Sequence, residues 1–452
     1  MSMFKIHNWA PLSTFLGAIM LTSSAIAASD RMPAPQPARA FTLMELTDMA
    51  LNNNPKTKLA WAEIRSSQAG VELARAGYWP QISADYSIIR SRSVNFNGGA
   101  NSAQTRYEPS ISLSYLLWDF GTRSGTVDAA KYALTAAELS NSQTMQDVIL
   151  TVEQDYYQVL GLQVLEQANK LSVSDAETSL DAARQNQTSG LATVGDVYQA
   201  EAALAGAQLT LQQTQGNLAV AQGTLAVAVG FSADTRLQLT PWNQDVTASM
   251  PKPTIDQMLQ QAHEARPEIL ASKASEQAAI ANLEATKGRG LPNLTLAADA
   301  GRTRTVSNGV SQSADNYSAG LTLSIPLFAG FGDEAANKQA QAAIDISQAT
   351  TAQLIQQVEL EVWQAYQNLH TAVVTLATTD TQLKSAQQAE DVELARYHIG
   401  LDPILNLLTA QTTLANARAQ QVQARLNWFT ALAALGHAVG GLDAPSNASE
   451  LP

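Results

Sequence analysis

The spacing of apolar residues predicts very long helices that are joined in pairs by short turns. Residues from about Thr126 to Gln187 follow a helical pattern almost without a break, with Gly161 as the one internal weak point. A second long stripe steps by three or four residues through Leu354, Val358, Val362, Ala365, Leu369, Ala372 and Leu376. Such steps place the apolar side chains on one face of a helix.

Two related stretches, 190–200 and 400–410, begin with Gly-Leu and interrupt these patterns. Each stretch ends one helical pattern at a glycine and starts another within a few residues, as helix C-terminal glycines do. We therefore predict two long helical hairpins with turns at these positions.

Four shorter segments alternate apolar residues with small polar ones, a period of two that predicts β-strands. The predicted strands lie at about 82–92, 107–117, 294–304 and 316–327, with polar loops between the members of each pair. Strands of this length cross a bilayer when tilted, but a small soluble sheet with one buried face explains the alternation equally well. Four strands cannot close a barrel, so a membrane location requires several chains to share one.

The series of elements occurs twice. Pro55 matches Pro267 with an offset of 212 residues, and Phe120-Gly121 matches Phe331-Gly332 with an offset of 211. Thr42, with Glu45 three residues later, predicts the start of the first short helix. The predicted organisation is a signal peptide (1–27), an extended linker (28–40), a first repeat (41–230, with its hairpin at about 122–230), a connector (231–254), a second repeat (255–440, with its hairpin at about 333–440) and a disordered tail (441–452).

Composition narrows the function classes. Lys5, an apolar stretch and small residues before the predicted cleavage site near Ala27 indicate secretion. The chain has no cysteine, so it is not a lipoprotein and has no thiolate metal site. A net charge of −13 argues against nucleic-acid binding. The five histidines are scattered, and the sequence contains no recognisable catalytic constellation, so we predict no enzyme activity, metal or cofactor.

The secretory signal, the duplicated halves, two strands per half and the Gly-Leu turns together resemble the TolC-like outer-membrane efflux proteins over about residues 41–440. The resemblance implies a mainly α fold with a small membrane β part. In a homotrimer, the antiparallel hairpins would form an α-barrel in the periplasm, and four strands per chain would form a shared twelve-stranded β-barrel in the outer-membrane lipid. It also implies two further partners, a periplasmic adaptor and an inner-membrane pump or transporter.

The resemblance also assigns roles to residues near the turns. Asp196 and Tyr397 fall where the family pairs an acid with a tyrosine to close the entrance, although Asp196 would equally suit the first turn of a helix. Asp402 falls at a gating acid of some members, although an Asp N-cap followed by Pro403 at N1 explains it as well.

Three more residues fall in the predicted entrance. Leu405 matches a pore-narrowing leucine of some members, or it packs between helices. Asn406 and Thr409 stand where the family often has an aspartate ring, so this acidic constriction is not reproduced. Gly190, Leu191, Gly400 and Leu401 resemble the adaptor-docking turns, although helix termination alone explains the glycines.

The sequence thus predicts a passive trimeric exit duct for small molecules such as drugs, organic acids or metal ions. Export of polypeptides by type I secretion remains an alternative with the same duct. A soluble periplasmic coiled-coil scaffold is the alternative from another class.

Overall fold

The computed structural model describes residues 40–93, 102–241 and 249–441. The predicted signal peptide, all of the linker except Ala40 and all of the predicted tail except Gly441 lie outside these residues. Their elements follow in the order α1 (Leu43–Asn53), α2 (Pro55–Ala76), β1 (Gln81–Ser93), β2 (Ser102–Trp118), α3 (Thr122–Thr188), α4 (Val194–Val229), α5 (Ile255–Ala265), α6 (Pro267–Arg289), β3 (Asn293–Ser307), β4 (Val310–Ser324), α7 (Gly332–His398) and α8 (Ile404–Ala438). The order confirms a mainly α fold with an internal duplication.

Local sequence explains where the short helices begin. Thr42 and Glu45 form the predicted capping box at the start of α1. Pro55 and Pro267 are the first residues of α2 and α6, and each ends the preceding short helix because proline lacks the N–H that would continue it.

Helices α3 and α7 have 67 residues each, which corresponds to a length of about 100 Å. Gly161 does not interrupt α3. A Cβ atom at Gly161 would lie 3.4 Å from Leu426 Cδ2, an ordinary contact distance, so Gly161 lies where α3 packs on α8. Each long helix starts a few residues after a strand and ends at one of the predicted turns, so it connects these two regions of the chain.

The strands form one antiparallel sheet in the order β1-β2-β3-β4. The β2–β3 pair joins the two repeats, and β1 and β4 are the edges. β2 begins at Ser102 rather than 107, and β4 spans 310–324 rather than 316–327. The predicted strands left a loop at 305–315, which was too long because Asn308-Gly309, with φ of 50° and 79°, makes a two-residue hairpin turn.

Each repeat has its own hydrophobic core, in which its short first helix packs on its two long hairpin helices. In the first, α1 packs on α3 and α4 around Leu46, Val152 and Leu225. In the second, α5 packs on α7 and α8 around Met258, Val362 and Leu435. None of the described helices is long and apolar enough to cross a membrane.

The structure shifts one predicted match between the repeats. The two consecutive left-handed residues before α3 are Phe120 and Gly121, whereas those before α7 are Gly330 and Phe331. The structural offset at the start of the long helices is therefore 210 residues rather than 211. The match of Phe120-Gly121 with Phe331-Gly332 was therefore one residue off. It relied on residue identity, whereas the equivalent positions are defined by backbone conformation.

Candidate functional site at the two helical turns

The fold brings the two related turns into contact. Buried side chains from all four long-hairpin helices form one cluster there, made of Leu180, Ala182, Ala183, Val197, Ala200, Tyr397, Ile404 and Leu407. A Cβ atom at Gly400 would lie 3.7 Å from Leu191 Cδ1. The two stretches that the sequence singled out therefore form a single region at one end of the hairpins.

Gly190 and Gly400 end their helices in the same way, both with φ of 74°. Leu191 N–H donates to the Asn186 carbonyl at 2.8 Å, and Leu401 N–H donates to the Arg396 carbonyl at 3.0 Å. This is the Schellman arrangement, in which glycine supplies the left-handed residue. The two leucines that follow are 67% and 68% exposed.

In the first turn, Asp196 belongs to a capping box. Its Oδ2 accepts from Thr193 N–H at 2.7 Å and from Thr193 Oγ1 at 3.1 Å, and Thr193 Oγ1 accepts from Asp196 N–H at 3.3 Å. The carboxylate therefore has a local role at the start of α4, as the capping interpretation predicts.

The structure does not join Asp196 directly to Tyr397. The Tyr397 side chain is only 3% exposed, and its hydroxyl has no hydrogen-bond partner among the described residues. Burial raises the pKa of this phenol, the nearby Asn186 side chain opposes that shift, and the negative charge of Asp196 raises the pKa further. Val197, which follows Asp196, packs in the same buried cluster as Tyr397, but no hydrogen bond joins the acid to the phenol in this conformation.

In the second turn, the capping prediction for Asp402 is wrong. The N-cap residue of α8 is Pro403, which has extended dihedrals, and α8 begins at Ile404. The Asp402 carboxylate instead forms an ion pair with Arg396 in the last turn of α7. No side-chain hydrogen bond from the described residues caps the start of α8. Sequence analysis missed Arg396, for which the signal was an opposite charge six residues away across the turn.

Leu405, Asn406 and Thr409 share the exposed face of α8, opposite the buried Ile404 and Leu407. Leu405 is 62% exposed, so it does not pack between helices within one chain. Thr409 Oγ1 donates to the Leu405 carbonyl at 2.7 Å, which leaves its methyl group and the Asn406 amide as the chemistry of this face. The face therefore combines an exposed leucine with polar groups and carries no charge.

A polar cluster that sequence analysis missed ties α8 to its neighbours beyond the turns. Gln411 Nε2 donates to the Asp175 carbonyl at 3.1 Å and to Ser179 Oγ at 2.7 Å, both on α3. Arg418 Nη1 bonds Asp175 Oδ2 at 2.8 Å. Glu390 of α7 is also buried here; burial raises its pKa, and the Gln411 hydrogen bond opposes that shift. These residues hold the second hairpin against the first.

Beyond these contacts, the described residues offer no cluster of metal-binding side chains. Over residues 40–93, 102–241 and 249–441, no group of three or more His, Asp or Glu side chains is placed to hold a metal ion. The geometry of the turns therefore offers exposed leucines, the Arg396–Asp402 ion pair and an uncharged face on α8, and Arg184 of α3 pairs with Glu201 of α4 nearby.

The sequence profile of the outer membrane efflux protein family matches residues 46–231 and 258–441, one match in each repeat. The chain therefore belongs to this family. It is 30% identical to protein CyaE of Bordetella pertussis over 417 residues, which cover 89% of this chain and 86% of that protein. It is 26% identical to the outer membrane efflux protein BepC of Brucella suis, covering 94% and 91% of the two chains.

Solved structures show the same fold. The outer-membrane channel OprN superposes with a TM-score of 0.79 at 21% sequence identity, covering 89% of this chain and 91% of that one. The likeness extends through both repeats because coverage is nearly complete on both sides.

Proposed function

We propose that this protein is a homotrimeric outer-membrane channel-tunnel, the passive exit duct of a tripartite efflux system for small molecules. The observation that carries the proposal is membership of the outer membrane efflux protein family across both repeats. The architecture supports it, because each long helix leads from the sheet to the paired turns.

We place the protein in the outer membrane, after cleavage of a signal peptide near Ala27, and the sheet supports the membrane location. β1 and β4 are unpaired edges in the single chain, and exposed apolar side chains such as Ile82, Leu321 and Leu323 alternate with small polar ones. Unpaired strand edges are not tolerated in lipid. Three copies would supply twelve strands and close the edges into one barrel.

The turns are the proposed periplasmic end. Leu191 and Leu401 are exposed at the tips of the hairpins, where apolar side chains suit a protein partner. We place a periplasmic adaptor there, with an inner-membrane pump or transporter behind it as the energy source. The named functions of relatives agree, since BepC is an outer membrane efflux protein.

The gate is proposed at the same end. Asp196 lies beside the buried cluster that contains Tyr397, and the Arg396–Asp402 ion pair spans the second turn. Leu405, Asn406 and Thr409 would line the constriction. Asp196→Ala should raise the conductance of the closed pore in a planar bilayer. Tyr397→Phe removes the other partner of the latch, so it should raise the conductance of the closed pore as well. Unchanged conductance in both variants removes the latch.

A deletion strain tests the function as a whole. We expect greater sensitivity to drugs and organic acids, restored by the intact gene, with the protein in the detergent-soluble membrane fraction. Missing secreted proteins with unchanged drug sensitivity would favour type I secretion. Extraction without detergent would contradict the membrane duct and favour a soluble scaffold.

Adaptor docking has its own test. Leu401→Asp should weaken binding of the purified adaptor without loss of the trimer, because the side chain is exposed at the turn. Loss of the trimer before any change in adaptor binding would make Leu401 a structural residue.

A further inference from the structure

The sheet has two chemically different faces. The apolar face consists of the even-numbered residues of β1 and β3 and the odd-numbered residues of β4 and of β2 before its bulge, which the register aligns. It includes Ile82 and Leu321, which are 69% and 65% exposed. On the opposite, polar face, small side chains hydrogen-bond between strands, as Ser83 and Ser112 do at 2.8 Å. The apolar face therefore suits lipid, since lipid-facing and lumen-facing residues alternate along membrane strands.

Four arginines interrupt the apolar face near the hairpin ends of β1 and β3. They are Arg90, Arg92, Arg302 and Arg304, and all four side chains are exposed. The first two match the second two with an offset of 212 residues, which also relates the first residues of α2 and α6. Both repeats thus carry the same Arg-x-Arg pattern at the same place on the same face.

The two faces of the sheet carry opposite formal charge. Among the described strand residues, Asp315 is the one acid on the apolar face, so four arginines against one aspartate give +3. The polar face has Asp85, Glu108 and Asp299 against Arg106, which gives −2. An excess of positive charge on one face of a chain with a net charge of −13 indicates an anionic partner there.

Contacts within the chain leave most of this positive charge unneutralised. Arg90 and Arg92 have no hydrogen bond or ion pair within the described part of the chain. Arg304 Nε donates to a serine hydroxyl of β4 at 3.0 Å, which is a neutral partner. Arg302 Nε lies 3.5 Å from Asp315 Oδ1, and the two side chains are 65% and 78% exposed, so this ion pair is weak. The guanidinium groups can therefore bind an external anion, and their planar fork of donors suits phosphate oxygens.

The length of the strands places the arginines at one edge of the lipid. Arg90 and Arg302 each lie nine residues after the first residue of their strand, Gln81 and Asn293. Nine residues at about 3.3 Å each, tilted by about 40°, rise by about 23 Å. The outward apolar band of an outer-membrane barrel is about 25 Å tall. The arginines therefore lie where this band ends, on the side of the sheet away from the helices.

Tyrosines lie beside the arginines on the same face. Tyr107 of β2 lies opposite Arg304 of β3. The equivalent tyrosine of the second repeat, Tyr317 of β4, is 89% exposed. Tyrosine is enriched where the apolar band meets the lipid headgroups. The aromatic and the basic residues thus indicate the same level of the sheet as the boundary between lipid and water.

We propose that Arg90, Arg92, Arg302 and Arg304 bind the phosphate groups of lipopolysaccharide in the outer leaflet of the outer membrane. The site rests on the proposed channel, which directs the helical turns to the periplasm and the opposite end of the sheet to the outer leaflet. The lipid A part of lipopolysaccharide carries phosphates at the level of the headgroups. Basic side chains beside an apolar membrane surface bind such anionic headgroups, while the acyl chains lie along the apolar residues nearer the helices.

Binding of purified lipid A to the protein in detergent tests the site, with native mass spectrometry as the readout. The fourfold variant Arg90→Gln/Arg92→Gln/Arg302→Gln/Arg304→Gln should bind bisphosphorylated lipid A at least tenfold more weakly than the wild type. Arg106→Gln is the matched control, because Arg106 lies near the same end of the sheet on the polar face, and it should bind like the wild type. Dephosphorylated lipid A should bind the wild type as weakly as bisphosphorylated lipid A binds the fourfold variant.

Single-channel recording in a planar bilayer shows whether the fourfold variant folds. Steps of wild-type size together with weak lipid A binding support the site. If the variant gives no steps, Arg90→Gln/Arg92→Gln and Arg302→Gln/Arg304→Gln are measured separately, and each should bind at least threefold more weakly. Wild-type affinity in the folded arginine variants, or an equal loss in Arg106→Gln, overturns the lipid site and leaves the channel intact. Wild-type protein that does not co-float with lipid vesicles contradicts the proposed function itself.

Discussion

The two repeats bind the C-terminal ends of their second hairpin helices, α4 and α8, with different side chains. In the first, Asn54 Nδ2 donates to the Ala228 carbonyl at 2.7 Å. In the second, the equivalent Arg266 donates to the His437 carbonyl at 3.1 Å and also pairs with Glu268 and Glu361. One repeat uses a neutral amide and the other a buried ion cluster. The same packing thus tolerates different side chains, provided that a carbonyl at the C-terminal end of α4 or α8 accepts a hydrogen bond.

The turns differ in a similar way. Asp196 caps its own helix, whereas Asp402 turns back to Arg396 on the preceding helix. The first acid therefore stabilises the start of α4, whereas the second pairs across the turn with a half-exposed arginine. With the offset of 210 residues between the turns, Asp196 corresponds to Asn406 and Asp402 corresponds to Ala192, so the two acids differ in position as well as in role.

The largest expected effect separates the two anchors. Arg266→Ala should lower the free energy of unfolding by about 3–5 kcal/mol, because it leaves the buried Glu268 without its cation. Asn54→Ala should cost about 1–2 kcal/mol, the loss of a cap and one buried hydrogen bond. Denaturant unfolding of the purified protein in detergent measures both. A larger loss for Asn54→Ala would reverse the comparison, and Arg266→Met with Glu268→Met should recover part of the loss.

A second difference between the repeats is a buried acid. Glu153 on α3 is buried, which raises its pKa from 4.5 to about 7, whereas the equivalent Trp363 on α7 is exposed. Since the folded pKa is higher, this group destabilises the fold as pH rises from about 4.5 to 7, by up to about 3 kcal/mol.

Glu153→Gln should therefore stabilise the protein at pH 8 and change little at pH 4. Unfolding midpoints at the two pH values measure this. Asp155, whose pKa burial raises to about 6, leaves a smaller pH dependence in the variant. Equal effects of Glu153→Gln at both pH values would contradict the account.

The smallest effect concerns the turns. Asp196→Ala should cost about 1 kcal/mol through the lost capping box, whereas Asp402→Ala should leave the unfolding midpoint unchanged, because ion pairs with an exposed partner contribute little. The same unfolding assay resolves the two. Destabilisation by Asp402→Ala alone would assign the structural role to the second turn.

Hydrophobic periodicity, together with the residues that start or end helices, predicted most of the fold. The stripes predicted α3 and α7, the prolines and Thr42 predicted the short helices, and the Gly-Leu pairs predicted both turns. These signals are local, because capping and glycine conformation depend on neighbouring residues. The ends of the strands were predicted less accurately, because Asn308-Gly309 was not recognised as a two-residue hairpin turn.

Contacts between distant residues were not predictable in this way. The Arg396–Asp402 pair, the anchoring by Arg266 and the ties of Gln411 to α3 depend on side chains that meet only in the folded chain. The one-residue error in matching Phe331 arose because similar residues occupy different backbone conformations. The predicted gate residues share one region, but sequence could not assign their individual partners.

Single-channel recording of the purified protein in a planar lipid bilayer tests the central claim most directly. The account predicts discrete conductance steps of one size, which reflect a water-filled duct through a closed assembly of three chains. An absence of steps from protein that co-floats with the lipid and is protected there from protease would contradict it.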